Sequence, residues 1–140
     1  MKELLVALLT WIAAEMGTDC PEPPRVVFVS AEEIAERAYG PRRPEGARAT
    51  ALYDREQGII YLNRDWNAAT LRDRSTLLHE LVHHVQQRTQ VTAPCLAAYE
   101  RQAYHLQIEW LRQQGVSNPY ALLEIDEFTI SVRSLCPGTE

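Results

Sequence analysis

The residues best suited to chemistry lie in the run His79-Glu80-Leu81-Val82-His83. On a helix, residues four apart stand one above the other, so His79 and His83 aim their imidazoles at one point. Two neutral imidazoles at that spacing can hold Zn2+, and Glu80 is near enough to act as a base on a metal-bound water. Leu77, Leu78, Leu81, Val82 and Val85 supply an apolar backing that would hold the imidazoles in place. His84 follows Glu80 by four, but a Glu80–His84 pair would leave no base, so His84 is expected to be a neighbour of the site. The bland alternative is a helix surface on which Glu80 pairs with His83 or His84.

A catalytic zinc site usually has three protein ligands and one open position. Besides His79, His83 and His84 the chain contains one histidine, His105, and the best candidate for the third ligand is Glu100. Its segment has helical periodicity, with Leu96, Tyr99, Ala103, Leu106 and Trp110 on one broad face and Glu100 toward that face. Thr92 and Pro94 mark a break before it, so a helical hairpin can return Glu100 to the metal. A surface carboxylate paired with Arg101 or Arg112 is the other reading of Glu100.

The pattern His79-Glu80-x-x-His83 with a downstream helical Glu100 resembles the gluzincin branch of the zincin metallopeptidases, in particular its minimal single-domain members. The resemblance covers about Ile59 to Trp110. It implies a zinc-dependent hydrolase of peptide bonds, with Glu80 as general base and His79, His83 and Glu100 on zinc. Many gluzincins carry an Asp four residues after the glutamate ligand; here that position is Tyr104, and Asp126 or Glu127 is expected to orient a ligand histidine instead. The extra glycine and third histidine of the metzincin branch are missing. A strand of the hairpin upstream of the motif helix, near Gly58 to Asn63, is expected to pair with an extended substrate; a plain core hairpin is the alternative.

Such a reaction needs a further donor for its oxyanion. Tyr104, His105, Tyr61 and Tyr120 are candidates, with Tyr104 and His105 favoured because they share a helix with Glu100. Against the peptidase stands a zinc-binding regulatory or scaffold domain with little turnover, since so compact a chain leaves little room for a deep specificity cleft. A structural helical domain with an accidental motif is a third possibility.

The chain has 140 residues, 46% of them hydrophobic, the size of one domain with one core. A net charge of -5 argues against nucleic acid as a partner. The expected partner is a peptide or protein substrate; oligomeric state is not legible. The basic group Arg42, Arg43 and Arg48 falls in a Pro/Gly-containing stretch and reads as a solvated connection. Lys2 to Met16 is too short to span a bilayer, and Glu3, Glu15 and the want of a small-x-small cleavage site favour an amphipathic helix over a signal peptide. Cys95 precedes one helix and Cys136 follows the next, so an antiparallel pair brings them to the same end. A disulfide there would favour an exported, periplasmic or secreted protein; reduced cysteines would favour the cytoplasm.

The elements that must position the site follow from local signals. Pro21 to Pro24 reads as a stiff linker and Arg25 to Val29 as a buried strand. Ser30 with Glu33 is a capping box for a helix over Ala31 to Ala38, followed by a loop from Gly40 to Ala47. Ala49 to Asp54 and Gly58 to Asn63 form a hairpin across Arg55 to Gln57. Helices are expected from Asn67 to Arg88, from Cys95 to Gln114 and, capped by Asn118-Pro119, from Pro119 to Ser134. The sum is a single α+β domain: about three mostly antiparallel strands packed on the motif helix and three to four further helices.

Overall fold

The computed structural model describes residues 1–42 and 50–138. Arg43, Arg48, Ala49 and most of the stretch read as a loop lie outside these residues. The fold is α+β, with six helices and a three-stranded sheet among the described residues.

Helix α1 (Lys2–Met16) buries Leu5, Leu8, Leu9, Ile12 and Ala13, a stripe at helical spacing that packs into the main core. Gly17, at φ 66°, ends it in the left-handed region, where its N–H and that of Thr18 close on the carbonyls of Ala14 and Ala13. Strand β1 (Arg25–Val29) lies at an edge of the sheet, with Arg25 and Phe28 exposed, and is therefore less buried than its β-branched sequence suggests. Helix α2 (Ala31–Tyr39) starts where Ser30 Oγ accepts from the Glu33 N–H at 3.1 Å. Only that half of the expected box forms, because the Glu33 carboxylate instead pairs with Arg37 one turn on, at 3.1 Å.

Strands β2 (Ala51–Asp54) and β3 (Ile59–Asn63) form the expected antiparallel hairpin, its turn held by Asp54 Oδ1 accepting from the N–H groups of Glu56 and Gln57. The sheet order is β1-β3-β2, and β1 pairs with β3 in parallel, Val27 opposite Tyr61. The sheet is thus mixed, one parallel and one antiparallel pair, where a mostly antiparallel one was expected. The connection from β1 through α2 is long enough to bring the chain back in the same direction. Central β3 is covered on both faces: Ile60 and Leu62 join the main core, while Tyr61 packs with Val29 of β1 and Ile34 of α2.

Helix α3 (Leu71–Arg88) carries the motif. It begins at Thr70, whose hydroxyl accepts from the Asp73 N–H. The predicted start at Asn67 is too early, because the Asn67 side chain takes the Ala69 N–H at 2.8 Å in a local turn. Leu77, Leu78, Leu81, Val82 and Val85 are fully buried, each contributing about 1.5–3 kcal/mol. The polar residues of the same stretch are buried too, from His79 to Gln86. Burying a polar group without a partner costs roughly 1–3 kcal/mol, and among the described residues no buried side-chain nitrogen or oxygen lacks one. The motif helix is therefore enclosed, by α1, by β2 and by the next helix, and its fully enclosed polar atoms are satisfied inside the protein.

After a 3-10 turn at Leu96–Ala98, α4 (Tyr99–Gln113) runs back along α3, and Trp11 of α1 donates to Gln113 at 2.9 Å. The single last helix of the sequence reading is two: α5 (Pro119–Leu123) and α6 (Glu127–Arg133). Glu124 turns left-handed at φ 55°, and Asp126 starts a new helix by accepting from the Thr129 N–H at 2.7 Å. The helix count rises by one for that reason. No helix is long and apolar enough to cross a membrane among the described residues.

Cys95 and Cys136 are joined in a disulfide, their Cα atoms 5.7 Å apart, across a sequence separation of 41 residues. Of the two readings of these cysteines the bonded one is found, which suits an oxidising compartment. A loop of that length restricts the unfolded chain by about 3–4 kcal/mol. The double variant Cys95→Ser/Cys136→Ser should therefore lose about 2–4 kcal/mol in denaturant melts under oxidising conditions. An unchanged midpoint would mean that the bond contributes nothing to stability.

Candidate metal centre

His79 and His83 occupy successive turns of α3 with their rings 5.1 Å apart, and Glu100, in the first turn of α4, reaches both. Glu100 Oε1 lies 3.5 Å from His79 Nε2 and in direct contact with His83 Nε2. Glu80 stands beside them, its carboxylate within 4.8 Å of the imidazole donor atoms. The pair of histidines and the glutamate predicted across the hairpin are thus brought together.

The far side of each ring is held by an amide. His79 Nδ1 meets Gln107 Oε1 at 2.9 Å, and His83 Nδ1 meets Gln86 Oε1 at 2.9 Å. The amide orientations are set by their other bonds, Gln107 Nε2 donating to Ser75 Oγ and Gln86 Nε2 to the Tyr99 carbonyl and to Gln102 Oε1. An amide oxygen accepts only, so both Nδ1 atoms carry protons and both Nε2 atoms face Glu100, free to act as ligands once the proton each shares with that carboxylate is displaced. Two imidazole nitrogens and a carboxylate oxygen converging in this way fit a divalent ion of zinc's type, and an acceptor behind each ring is what such ligands need.

The electrostatics agree. Burial opposes ionisation of His79, but its contact with Glu100 and the charge of Glu80 outweigh that and raise its pKa above the usual imidazole value. Burial likewise works against the Glu100 carboxylate, yet its contacts with His79 and His83 prevail and hold its pKa far below the carboxylate range. A permanent negative charge is therefore fixed between two rings. His84 belongs elsewhere: it is 1% exposed, its Nε2 donates to the Glu22 carbonyl at 2.8 Å and its Nδ1 accepts from Tyr53 at 3.0 Å. Burial pushes its pKa down, so it is a neutral packing residue.

Of the predicted oxyanion donors, Tyr104 packs edge-on against His79 with ring centroids 4.5 Å apart and lines the cleft. Burial raises its pKa, and Arg133 donates to its oxygen at 2.7 Å, which leaves the phenolic proton free to be given. His105 is not brought to the site. At about 100° per residue it lies roughly 140° around α4 from Glu100, whereas Tyr104 lies about 40° away. His105 is exposed and pairs with Glu127 at 3.0 Å, a carboxylate that also accepts from Tyr120 at 2.7 Å. Tyr61 is on the opposite sheet face, beneath Arg37. Asp126 and Glu127 are likewise spent, on the start of α6 and on His105, so the expected orienting role falls to Gln107 and Gln86.

Those two glutamines are what the sequence reading missed. Gln107 is seven residues from Glu100, and Gln86 seven from His79, each about 20° off the same helix face. A polar side chain recurring on the ligand stripe was the available signal. All these groups line or back a cleft of about 1200 Å3 bounded by β2, α3, α4 and α6, larger than the compact chain suggested.

A family model described as "Domain of unknown function (DUF6647)" matches residues 1–137. A protein named chorismatase, from Streptomyces hygroscopicus, is 35% identical over 95 residues, which cover 68% of this chain and 24% of that protein. The chain thus spans about a quarter of the length of that curated relative. No solved structure matches.

Two outcomes follow for metal binding. Gln107→Leu should lower zinc affinity by about 10- to 100-fold in a chelator competition, with the fold unchanged by circular dichroism; undiminished affinity would deny Gln107 any part in holding His79. Because a metal must displace the proton that His79 holds above its ordinary pKa, affinity should already weaken as the pH falls toward 6.5. Below the raised value the loss is about tenfold per unit for each proton displaced. Constant affinity from pH 8 to pH 6 would contradict it.

Proposed function

The chain belongs to the DUF6647 family, and we propose that it is a zinc-dependent metallopeptidase resembling the gluzincins. The observation that carries this reading is the convergence of His79 Nε2, His83 Nε2 and Glu100 Oε1 beside the Glu80 carboxylate, at a cleft. His79, His83 and Glu100 would hold the ion, which would supply there a Lewis acid able to acidify water and polarise a carbonyl.

The chain's own residues do the rest. Glu80 takes the proton of the attacking water and delivers it to the leaving amine. Tyr104, kept protonated by burial and steadied by Arg133, donates to the oxyanion. Gln107 and Gln86 keep each imidazole in the tautomer whose Nε2 faces the ion. Strand β2 pairs only with β3 among the described residues, and Thr50, Ala51, Leu52 and Tyr53 line the cleft. Its open edge suits an extended peptide, which favours a peptide substrate over a small molecule. Of the two strands of the hairpin, β2 is the one able to pair with a peptide, since β3 is already paired on both sides.

A protein named for an enzymatic activity contains a segment like this chain, which supports turnover over a scaffold role. So does the size of the cleft. The disulfide supports an exported protein.

Glu80→Gln should keep one zinc per chain by elemental analysis and lose at least about 10²-fold in the rate of peptide-library cleavage. Zinc-loaded wild type and variant that are equally inert on broad libraries would reduce the protein to a metal-binding scaffold.

A further inference from the structure

Two cations in the cleft have no counterion among the described residues. Arg55, in the β2–β3 turn, has its guanidinium carbon over the Tyr99 ring, 4.4 Å from the centroid, with Nη2 3.2 Å from His83 Nδ1. That nitrogen already donates its proton to Gln86, so Arg55 has no lone pair to bind there, and its N–H groups remain available. Arg133, at the end of α6, gives one N–H to Tyr104 and stands 5.8 Å from that ring's centre. Neither arginine forms an ion pair with a carboxylate of the described residues.

Of the other charges lining the cleft, Glu80 stands beside the imidazoles. Arg72 pairs with Glu124 at 3.5 Å, Asp73 accepts from the Asn67 N–H at the start of α3, and Glu100 faces the imidazoles. Arg55 and Arg133 approach from two sides, one touching His83 directly and the other reaching His79 through Tyr104. Each guanidinium is thus at most one side chain away from the ligand pair. Its planar fork of donors matches a carboxylate, and it is oriented beforehand, Arg55 by the Tyr99 ring beneath it and Arg133 by its bond to Tyr104.

We propose that the cleft selects peptides bearing a carboxylate close to the scissile bond, and that Arg55 and Arg133 are the specificity determinants that hold it. The carboxylate belongs either to an acidic side chain or to the peptide's own C-terminus. The inference deepens the peptidase reading and rests on it for the fate of the bound peptide, though the binding can be tested without turnover.

The test is calorimetric titration of the Glu80→Gln protein, zinc-loaded and metal-free, with four N-acetylated tetrapeptides. These combine a Glu or a Gln side chain with a free or an amidated C-terminus. At least one acid should bind about tenfold tighter than its amide, and the pair that differs identifies the source of the carboxylate. The preference should persist without zinc and shrink to under about twofold in Arg55→Gln or Arg133→Gln, with Arg133→Lys recovering part of it. Equal affinities for acid and amide overturn the inference. So does a preference that survives both arginine variants, as it would if these side chains only packed on their rings. So does a preference that vanishes with the zinc, which would place the carboxylate on the ion. Acid preference in a wild type that cleaves none of the four leaves the inference standing and removes the peptidase reading; cleavage without acid preference does the reverse.

Discussion

A carboxylate from one helix, sunk between two imidazoles of another, is the constraint that the rest of the structure serves. Taking a charged carboxylate out of water costs several kcal/mol unless partners meet it with good geometry. Glu100 meets two, and can do so only if α3 and α4 are fixed in both spacing and register. Ala103, one turn after Glu100 and fully buried, leaves room for the helices to approach. Gln86 laces α3 to the start of α4 through Tyr99 and Gln102, and Gln107 laces α4 back to His79 and Ser75. The same amides that orient the imidazoles therefore also set the register that brings Glu100 to them.

The outer wall obeys a different rule. Helix α6 is short, carries exposed Phe128 and Val132, and buries only Ile130. So small an apolar anchor holds weakly. Polar ties to α4 supplement it, Arg101 to Ser131, Arg133 to Tyr104 and His105 to Glu127, and the disulfide closes the end. Arg133 and Tyr104, both facing the cleft, depend on this peripheral helix, while His79 and His83 depend on the deepest part of the core.

How legible this was in the sequence varies with the range of the interaction. His79, Glu80, His83 and the helix carrying them follow from spacing alone, and Ser30, Asn118 and the Asp54 turn from local hydrogen-bond chemistry. Glu100 was accessible through a hairpin argument because only one break separates the helices. The parallel pairing of β1 was not, since it depends on how α2 returns the chain. The split of the last helix hid behind an unbroken helical periodicity, although Asp126 three residues before Thr129 was a cap signal. His105 shows the limit of arguing from a shared helix, because five residues turn a side chain to the other face. Gln86 and Gln107 recur on the ligand stripe, but an amide there reads like a solvent-facing one until burial gives it meaning.

The two rims of the sheet differ in a way that bears on self-association. Just before β1 the chain runs through Pro21, Pro23 and Pro24, which offer no amide hydrogen to a stray strand, and β1 itself opens with an exposed arginine. The rim formed by β2 has Ala51, Leu52 and Tyr53 along it and, among the described residues, no such guard. Whatever extended segment settles there also hides the backbone groups through which two copies of the molecule would zip together. Occupancy of the groove and resistance to aggregation are then one and the same event.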